Sequence, residues 1–279
     1  MIVCVCLTIV GCTNVSVGSH LTGLKIHFLS VGQADAALIE CDGHYAMIDC
    51  GNDSVVENGF KSYSIDMYLQ QENIDSFDYI FCSHYDLDHY DGFADILENR
   101  EFKSVYGPSG SESVDTHSMN RFRNLLHSQD KKIKIPEKGD TFDLGKAIIK
   151  VLAVDKGSSK NDSSLVLMVT YKKNRFLFMG DAEKQTERAI MKDDIACDVI
   201  KVAHHGSSTS SSLEFLLKAK PKYAIMSVAA NRNLPEGGVI DNFESVNSRI
   251  FRTDEEGTII CKSDGKRISI TNADGEQLN

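Results

Sequence analysis

CSHYDLDHYDG, residues 82–92, sets two histidines and three aspartates within eleven positions, directly after the apolar run Tyr79-Ile80-Phe81. A capping aspartate at a helix start accounts for one of the three carboxylates and leaves both imidazoles unexplained. Carboxylates and imidazoles at i, i+2, i+4 and i+5 (His84, Asp86, Asp88, His89) can converge on a pair of divalent cations, each of which needs several such ligands. A strand that ends in this loop, with a helix to follow, aims the four side chains at one loop mouth.

The rest of the chain is consistent with a soluble globular body. It has 279 residues, 42% hydrophobic and 25% charged, enough for one large domain or two small ones. Lys and Arg number 30 against 40 for Asp and Glu, a formal charge of -10, so no basic field favours nucleic acid and any polyanion must be held locally. Lys131, Lys132 and Lys134, Lys172, Lys173 and Arg175, and Lys218, Lys220 and Lys222 form short basic runs that read as solvated faces. Of the eight cysteines three lie in the first twelve residues; Cys41, Cys50, Cys82, Cys197 and Cys261 are scattered, without a CxxC pair, and read as small buried hydrophobes.

The first twelve residues, MIVCVCLTIVGC, are apolar and too short to span a bilayer. Ile9-Val10-Gly11-Cys12 resembles the lipobox of bacterial lipoproteins, in which the cysteine is lipid-modified and becomes the new N-terminus, although no Lys or Arg precedes the apolar run. The expectation is a signal segment and short linker over 1–22, a hydrolase domain over 23–279, and anchoring through Cys12 to the outer face of the cell membrane. The alternative is a secreted or cytoplasmic chain.

From Gly23, LKIHFLSVGQADAALIECDGHYAMIDCGN alternates strand-like runs with turns at Gly32 and Asp42-Gly43, and reads as a meander. Helical spacing follows over 60–72 and 92–99, then strands near 103–106 and 147–153, and a hairpin from SLVLMVTY through Lys172-Lys173-Asn174 to RFLFMGD. A helix is predicted around 183–192, a strand over DVIKVAHH, a helix around 211–219, and strands at 222–228 and 258–271. Two β-then-α halves imply an α/β fold, an αββα sandwich with helices outside. The polar segment 107–140 reads as a long insertion over one rim.

His84-Tyr85-Asp86-Leu87-Asp88-His89 resembles the HxDxDH variant of the HxHxDH signature of the metallo-β-lactamase fold, a variant typical of the hydrolase domain of ComEC-type competence proteins. The likeness covers about residues 23–272. FLSVGQADAALIE is similar to the family's opening strand and turn, with Asp35 in the acidic position; AMIDCGN follows, with Asp49 as support for a ligand histidine. NDSSLVL, FLFMGDAE, KVAHHGSSTSS, AIMSVAAN and FRTDEEGTI continue the motif order.

The resemblance implies that His84, Asp86, Asp88, His89, Asp181 and His205 are metal ligands, with Asp181 bridging, and that Asp88, Asp181 and His204 act in catalysis. On a strand His204 and His205 would point to opposite faces, leaving His204 to contact phosphate or donate a proton. Asn161, Asp162 or Ser164 stands where the wider superfamily supplies a further histidine, and Ser207 opens a serine-rich run that could bind phosphate at a helix N-terminus.

Two divalent ions carry about +4 against -3 from Asp86, Asp88 and Asp181. The carboxylate-rich set favours Mn²⁺, with Zn²⁺ as the alternative. Such a pair lowers the pKa of a shared water and clamps both oxygens of an in-line displacement, so phosphodiester hydrolysis is expected. The resemblance points to DNA as the substrate. A small or lipid-linked phosphodiester, or a non-catalytic module of the same fold, are the alternatives, and no protein partner is inferable. The missing Gly-His-Pro after the SVxxN strand, read here as Asn231-Arg232-Asn233-Leu234-Pro235, leaves substrate preference open.

Overall fold

Alternation builds the first sheet. A computed structural model describes residues 23–51, 65–230 and 232–279; the signal and lipobox segment, residues 60–64 of the first predicted helix, and Asn231 lie outside them. Strands β1 (Leu24–Phe28), β2 (Ala36–Cys41) and β3 (His44–Cys50) form an antiparallel meander. Asp42 and Gly43 both take positive φ, 52° and 84°, as the two-residue hairpin between β2 and β3 requires. Leu24, Ile26, Phe28, Ala37, Ile39, Ala46 and Ile48 face one side, and Leu38 and Met47 the other.

The chain continues through α1 (Ile65–Gln71), β4 (Ser76–Phe81), the single turn α2 (Leu87–Tyr90), α3 (Phe93–Glu98), β5 (Glu101–Tyr106), α4 (His117–Ser128) and β6 (Ile133–Lys134). Strands β3, β4, β5 and β6 are parallel neighbours. Helix α4 and strand β6 lie within 107–140, the segment read as a long insertion over one rim. Met119, Phe122 and Leu126 recur at helical spacing and are buried against Phe93 and Ile96. Thr116 caps the helix by accepting from the Met119 amide at 3.1 Å.

The second half comprises β7 (Thr141–Leu144), β8 (Ala147–Ala153), β9 (Val166–Tyr171), β10 (Asn174–Phe178), α5 (Lys184–Ile190), β11 (Val199–Lys201), α6 (Leu213–Ala219), β12 (Tyr223–Met226), α7 (Gly237–Ser245), β13 (Arg249–Arg252), α8 (Thr253–Glu256), β14 (Ile259–Ser263) and β15 (Ile268–Asn272). The eight-stranded sheet runs β15-β14-β1-β2-β3-β4-β5-β6 and the seven-stranded sheet β13-β12-β11-β10-β9-β8-β7. The strands β6, β7 and β13 and the helices α7 and α8 are short or polar and carry no clear period in the sequence. DVIKVAHH is strand only over its first half, since β11 stops at Lys201.

Three apolar clusters define the layers. One fills the space between the sheets, with Phe28 stacked on Phe178 at 5.7 Å between ring centroids. A second lies between the first sheet and α1, α3 and α4, and a third between the second sheet and α5, α6 and α7. The order is helix, sheet, sheet, helix, the αββα sandwich expected. Each fully buried Leu, Ile or Phe contributes about 1.5–3 kcal/mol to this arrangement. The five cysteines among the described residues are buried and form no disulfide, as their reading as small hydrophobes expected. No helix among the described residues is long and apolar enough to cross a membrane.

Candidate metal centre

The motif residues follow the carboxyl ends of parallel strands, where loops from neighbouring strands meet. His84, Asp86, Asp88 and His89 follow β4, Asp181 follows β10, and His204 and His205 follow β11. In one sheet β3 pairs with β4, Ile48 beside Phe81, and in the other β10 pairs with β11, Phe178 beside Lys201, so within each sheet the paired strands end at the same level.

Asp49, next to last in β3, is left-handed (φ 57°) and anchors the histidine loop. It accepts from the Ser83 amide at 2.6 Å, from Ser83 Oγ at 2.7 Å and from His89 Nδ1 at 2.9 Å. Because the Ser83 hydroxyl hydrogen is spent on Asp49, Ser83 Oγ accepts from His84 Nδ1, 3.1 Å away. His205 Nδ1 likewise donates to the Ser227 carbonyl oxygen at 2.8 Å. Each of the three rings therefore spends its Nδ1 hydrogen on a support and directs Nε2 elsewhere.

What the Nε2 atoms meet is carboxylate. His89 Nε2 stands 3.3 Å from Asp181 Oδ1, His84 Nε2 stands 3.7 Å from Asp181 Oδ2, and His205 Nε2 stands 3.3 Å from Asp88 Oδ2. Asp86 Oδ2 is 3.7 Å from His84 Nε2. Yet His84 Nε2, His89 Nε2, His205 Nε2 and Asp181 Oδ1 are all buried without a hydrogen-bond partner. Leaving one such atom unsatisfied costs about 1–3 kcal/mol, and here four converge. Separations a little over 3 Å suit ligand atoms sharing a cation, whose bonds are about 2.0–2.3 Å long. Candidate ligand atoms of His84, His89 and Asp181 lie within 4.8 Å of one another, and so do those of Asp88, His89 and His205.

The electrostatics have the same origin. Burial would lower the His89 pKa, but the Asp181 and Asp49 carboxylates outweigh it and hold the ring well above its ordinary value. Burial would likewise raise Asp181, yet the imidazoles of His89, His205 and His84 keep it well below the carboxylate range. His205 is raised against its burial by Asp35 and Asp88. Asp88 is lowered against its burial by His205 and His89, and Asp86 is lowered chiefly by His84. The carboxylates that raise these imidazoles would equally attract a cation. Divalent ions can replace the ring protons.

The histidine pair departs from the strand geometry expected of it. His204 and His205 lie in a short turn, Ala203–Gly206, both left-handed at φ 50° and 51°. Their side chains therefore do not fall on opposite faces of a strand, and both reach the carboxylates. His204 Nε2 is 3.7 Å from Asp181 Oδ2 and 3.3 Å from Asn161 Nδ2. Its Nδ1 is 3.1 Å from Thr209 Oγ1, which is itself 3.2 Å from Ser207 Oγ. Ser207 thus sits behind Thr209 and touches the cluster only through it.

The serine run is a correction. The start of α6 already holds a carboxylate: Glu187 accepts from the Ser211 amide, from the Ser212 amide at 3.2 Å and from Ser212 Oγ at 2.6 Å. Ser212 caps the helix, and its N-terminus is not an open phosphate cradle. Ser164 donates to the Asn161 carbonyl oxygen at 2.6 Å and accepts from the Asp181 amide at 3.1 Å, fixing the backbone that carries Asp181.

Sequence reasoning missed Ser83, Thr209 and Lys201. Lys201 is buried, donating to Asp35 Oδ2 at 2.7 Å and to the Val202 carbonyl oxygen at 3.0 Å. Asp35 Oδ1 in turn lies 3.5 Å from His205 Nδ1. A lysine inside the apolar strand VIKVA was the available signal, since a buried ammonium requires an anionic partner.

A model of the metallo-beta-lactamase superfamily matches residues 29–230, more than half of the chain. ComE operon protein 3 of Bacillus subtilis (strain 168) is 31% identical over 202 residues, 69% of this chain and 25% of that protein. Recombination protein 2 of Haemophilus influenzae is 27% identical over 252 residues, 89% of this chain and 30% of that protein. The chain thus spans less than a third of either relative. Among solved structures, the metallo-beta-lactamase fold protein YhfI from Bacillus subtilis superposes with a TM-score of 0.56 at 11% identity, over 86% of this chain and 100% of that one. Zn²⁺-bound PqqB from Methylobacterium extorquens gives 0.52 at 9%, over 81% and 97%. At such identities these two likenesses show the fold alone.

Proposed function

Because the chain belongs to the metallo-beta-lactamase superfamily, we propose that it is a binuclear metal-dependent phosphodiester hydrolase acting on DNA. The observation that carries this reading is the two-sided placement of Asp181, with Oδ1 toward His89 and Oδ2 toward His84. A carboxylate so placed can serve two ions at once. His84, Asp86 and Asp181 would hold one; Asp88, His89, His205 and Asp181 would hold the other. The fold accommodates Zn²⁺ in PqqB. Two bound divalent ions supply an activated water and neutralise the charge of a phosphoryl centre.

The chain's own residues do the positioning. Asp49, Ser83 and the Ser227 carbonyl oxygen fix the imidazole tautomers. Asp86 and Asp88 keep about a third of their side-chain surface exposed, so the centre opens to solvent on their side. Lys160, 3.5 Å from Asp86 Oδ1 and largely exposed, places an ammonium at that opening, where a phosphodiester would enter.

The motif resemblance to the hydrolase domain of ComEC-type competence proteins favours DNA. The net charge of -10 favours the second reading, a small or lipid-linked phosphodiester, because it opposes long-range attraction of a polyanion. Parallel incubation with single-stranded DNA, duplex DNA and bis(p-nitrophenyl) phosphate separates the two. Cleavage of DNA is the result expected, and turnover of the small diester with both DNAs left intact would move the assignment to the second reading.

A further inference from the structure

The first of the two proposed ion positions is short of protein ligands. Its donors are His84, Asp86 and Asp181 Oδ2, and the segment 161–164, where the superfamily signature would place another imidazole, contributes none. Asp162 Oδ1 accepts from the Glu183 and Thr186 amides at 2.8 and 3.0 Å and so caps α5. The Ser164 hydroxyl is occupied on both sides, by the Asn161 carbonyl oxygen and the Asp181 amide. Asn161 directs its amide at His204.

His204 is built like the three imidazoles already assigned. Thr209 Oγ1 gives its hydrogen to Ser207 Oγ at 3.2 Å, so toward His204 Nδ1 it is an acceptor, and that nitrogen carries the ring hydrogen. Nε2 is then a lone pair, consistent with the Asn161 Nδ2 hydrogen at 3.3 Å. It faces the same Asp181 Oδ2 that His84 faces, at the same 3.7 Å. The left-handed backbone at both His204 and His205 costs each about 1–3 kcal/mol, a local strain that the surrounding structure must hold in place. A regular strand would have sent one of the two rings away.

Resting on the binuclear reading, we propose that His204 is a direct ligand of the ion held by His84, Asp86 and Asp181, replacing the imidazole absent from 161–164. The adjacent histidines thus supply one ring to each ion, and the Asn161 amide, on a partly exposed side chain, turns aside when the ion binds. Each ion then has two imidazoles and two carboxylates, with Asp181 common to both. Such a mixed nitrogen and oxygen set suits Mn²⁺ as well as Zn²⁺.

The test counts metal on purified protein that has been stripped, reloaded with Mn²⁺ and dialysed, and reads nitrogen couplings by pulsed electron paramagnetic resonance. The parent should hold two ions per chain. His204→Ala and His84→Ala should each hold one, and added imidazole should restore the second ion to His204→Ala. Thr209→Val, which leaves the ring in place, should weaken that ion about 10–100-fold, as loss of an outer support does elsewhere. Two tightly held ions and unchanged nitrogen couplings in His204→Ala would overturn the assignment. A parent chain that holds fewer than two ions would instead remove the binuclear reading beneath it.

Discussion

Asp49 accepts the Nδ1 hydrogen of His89 at 2.9 Å across 40 residues of sequence, and both side chains are buried. This contact sets which nitrogen of His89 is left to face Asp181. Asp49→Asn keeps the shape and removes the charge, so one of its amide hydrogens would oppose the ring or the Ser83 hydroxyl. The expected outcome is a folded protein, destabilised by about 1–3 kcal/mol, that binds divalent metal about 10–100-fold more weakly. Thermal melting and metal titration check the two effects separately.

Gly180 precedes Asp181 at φ 53°, and a Cβ there would stand 2.7 Å from Ser83 Cβ and 3.1 Å from Ser164 Cβ. Both neighbours hold the site: Ser83 supports His84, and Ser164 supports Asp181. Gly180→Ala should therefore cost about 1–3 kcal/mol in backbone strain alone and shift Asp181 from between the two ions. Chemical denaturation gives the first number, and loss of one ion per chain reports the second.

Stability of the metal-free protein should fall as pH rises. The folded pKa values of His89 and His205 are raised above the ordinary 6.5, so their contribution is complete below about that pH and is lost as pH climbs through the folded values. Asp181 is depressed, so its contribution is present above 3.8 and is lost only on acidification through its lower folded value. Metal binding displaces the ring protons and gains strength in the direction in which the protons leave. The melting temperature of stripped protein should thus drop as pH rises above about 6.5, and added Mn²⁺ should protect most at the alkaline end. A melting curve series with and without metal shows either pattern directly.

Metal preference should follow Asp86. This carboxylate, 3.7 Å from His84 Nε2, stands where the commoner signature has an imidazole. Carboxylate oxygen favours Mn²⁺ and Mg²⁺ more than imidazole does, although Zn²⁺ binds more tightly to almost any ligand set. Stripped protein should recover most activity with Mn²⁺ and less with Mg²⁺, and Asp86→His should move the optimum toward Zn²⁺. Maximal activity of the unaltered protein with Zn²⁺ alone would contradict this.

Much of the fold was legible because its signals are local. The Asp42-Gly43 turn and the alternation of Ile26, Phe28, Ile39 and Ile48 name β1, β2 and β3, and the carboxylate and imidazole spacing after Phe81 names the site. The turn at His204 and His205 was not legible, because left-handed backbone at two histidines has no marker in residue type; only the surrounding packing imposes it. Helix α4 was hidden by its polar face, with three buried residues in twelve. The carboxylate on α6 came from Glu187, far away in sequence, which no reading of the serine run could supply.

In the proposed function, metal ions held by the carboxylates and imidazoles around Asp181 would hydrolyse a phosphodiester. Stripped protein and its Asp181→Asn variant, each incubated with single-stranded DNA and Mn²⁺, test it most directly. Cleavage by the parent is expected only when metal is present, with a loss of about a hundredfold to a thousandfold in the folded variant, as when a group stabilising transition-state charge is removed. Equal cleavage by parent and variant, or cleavage indifferent to metal, would contradict it.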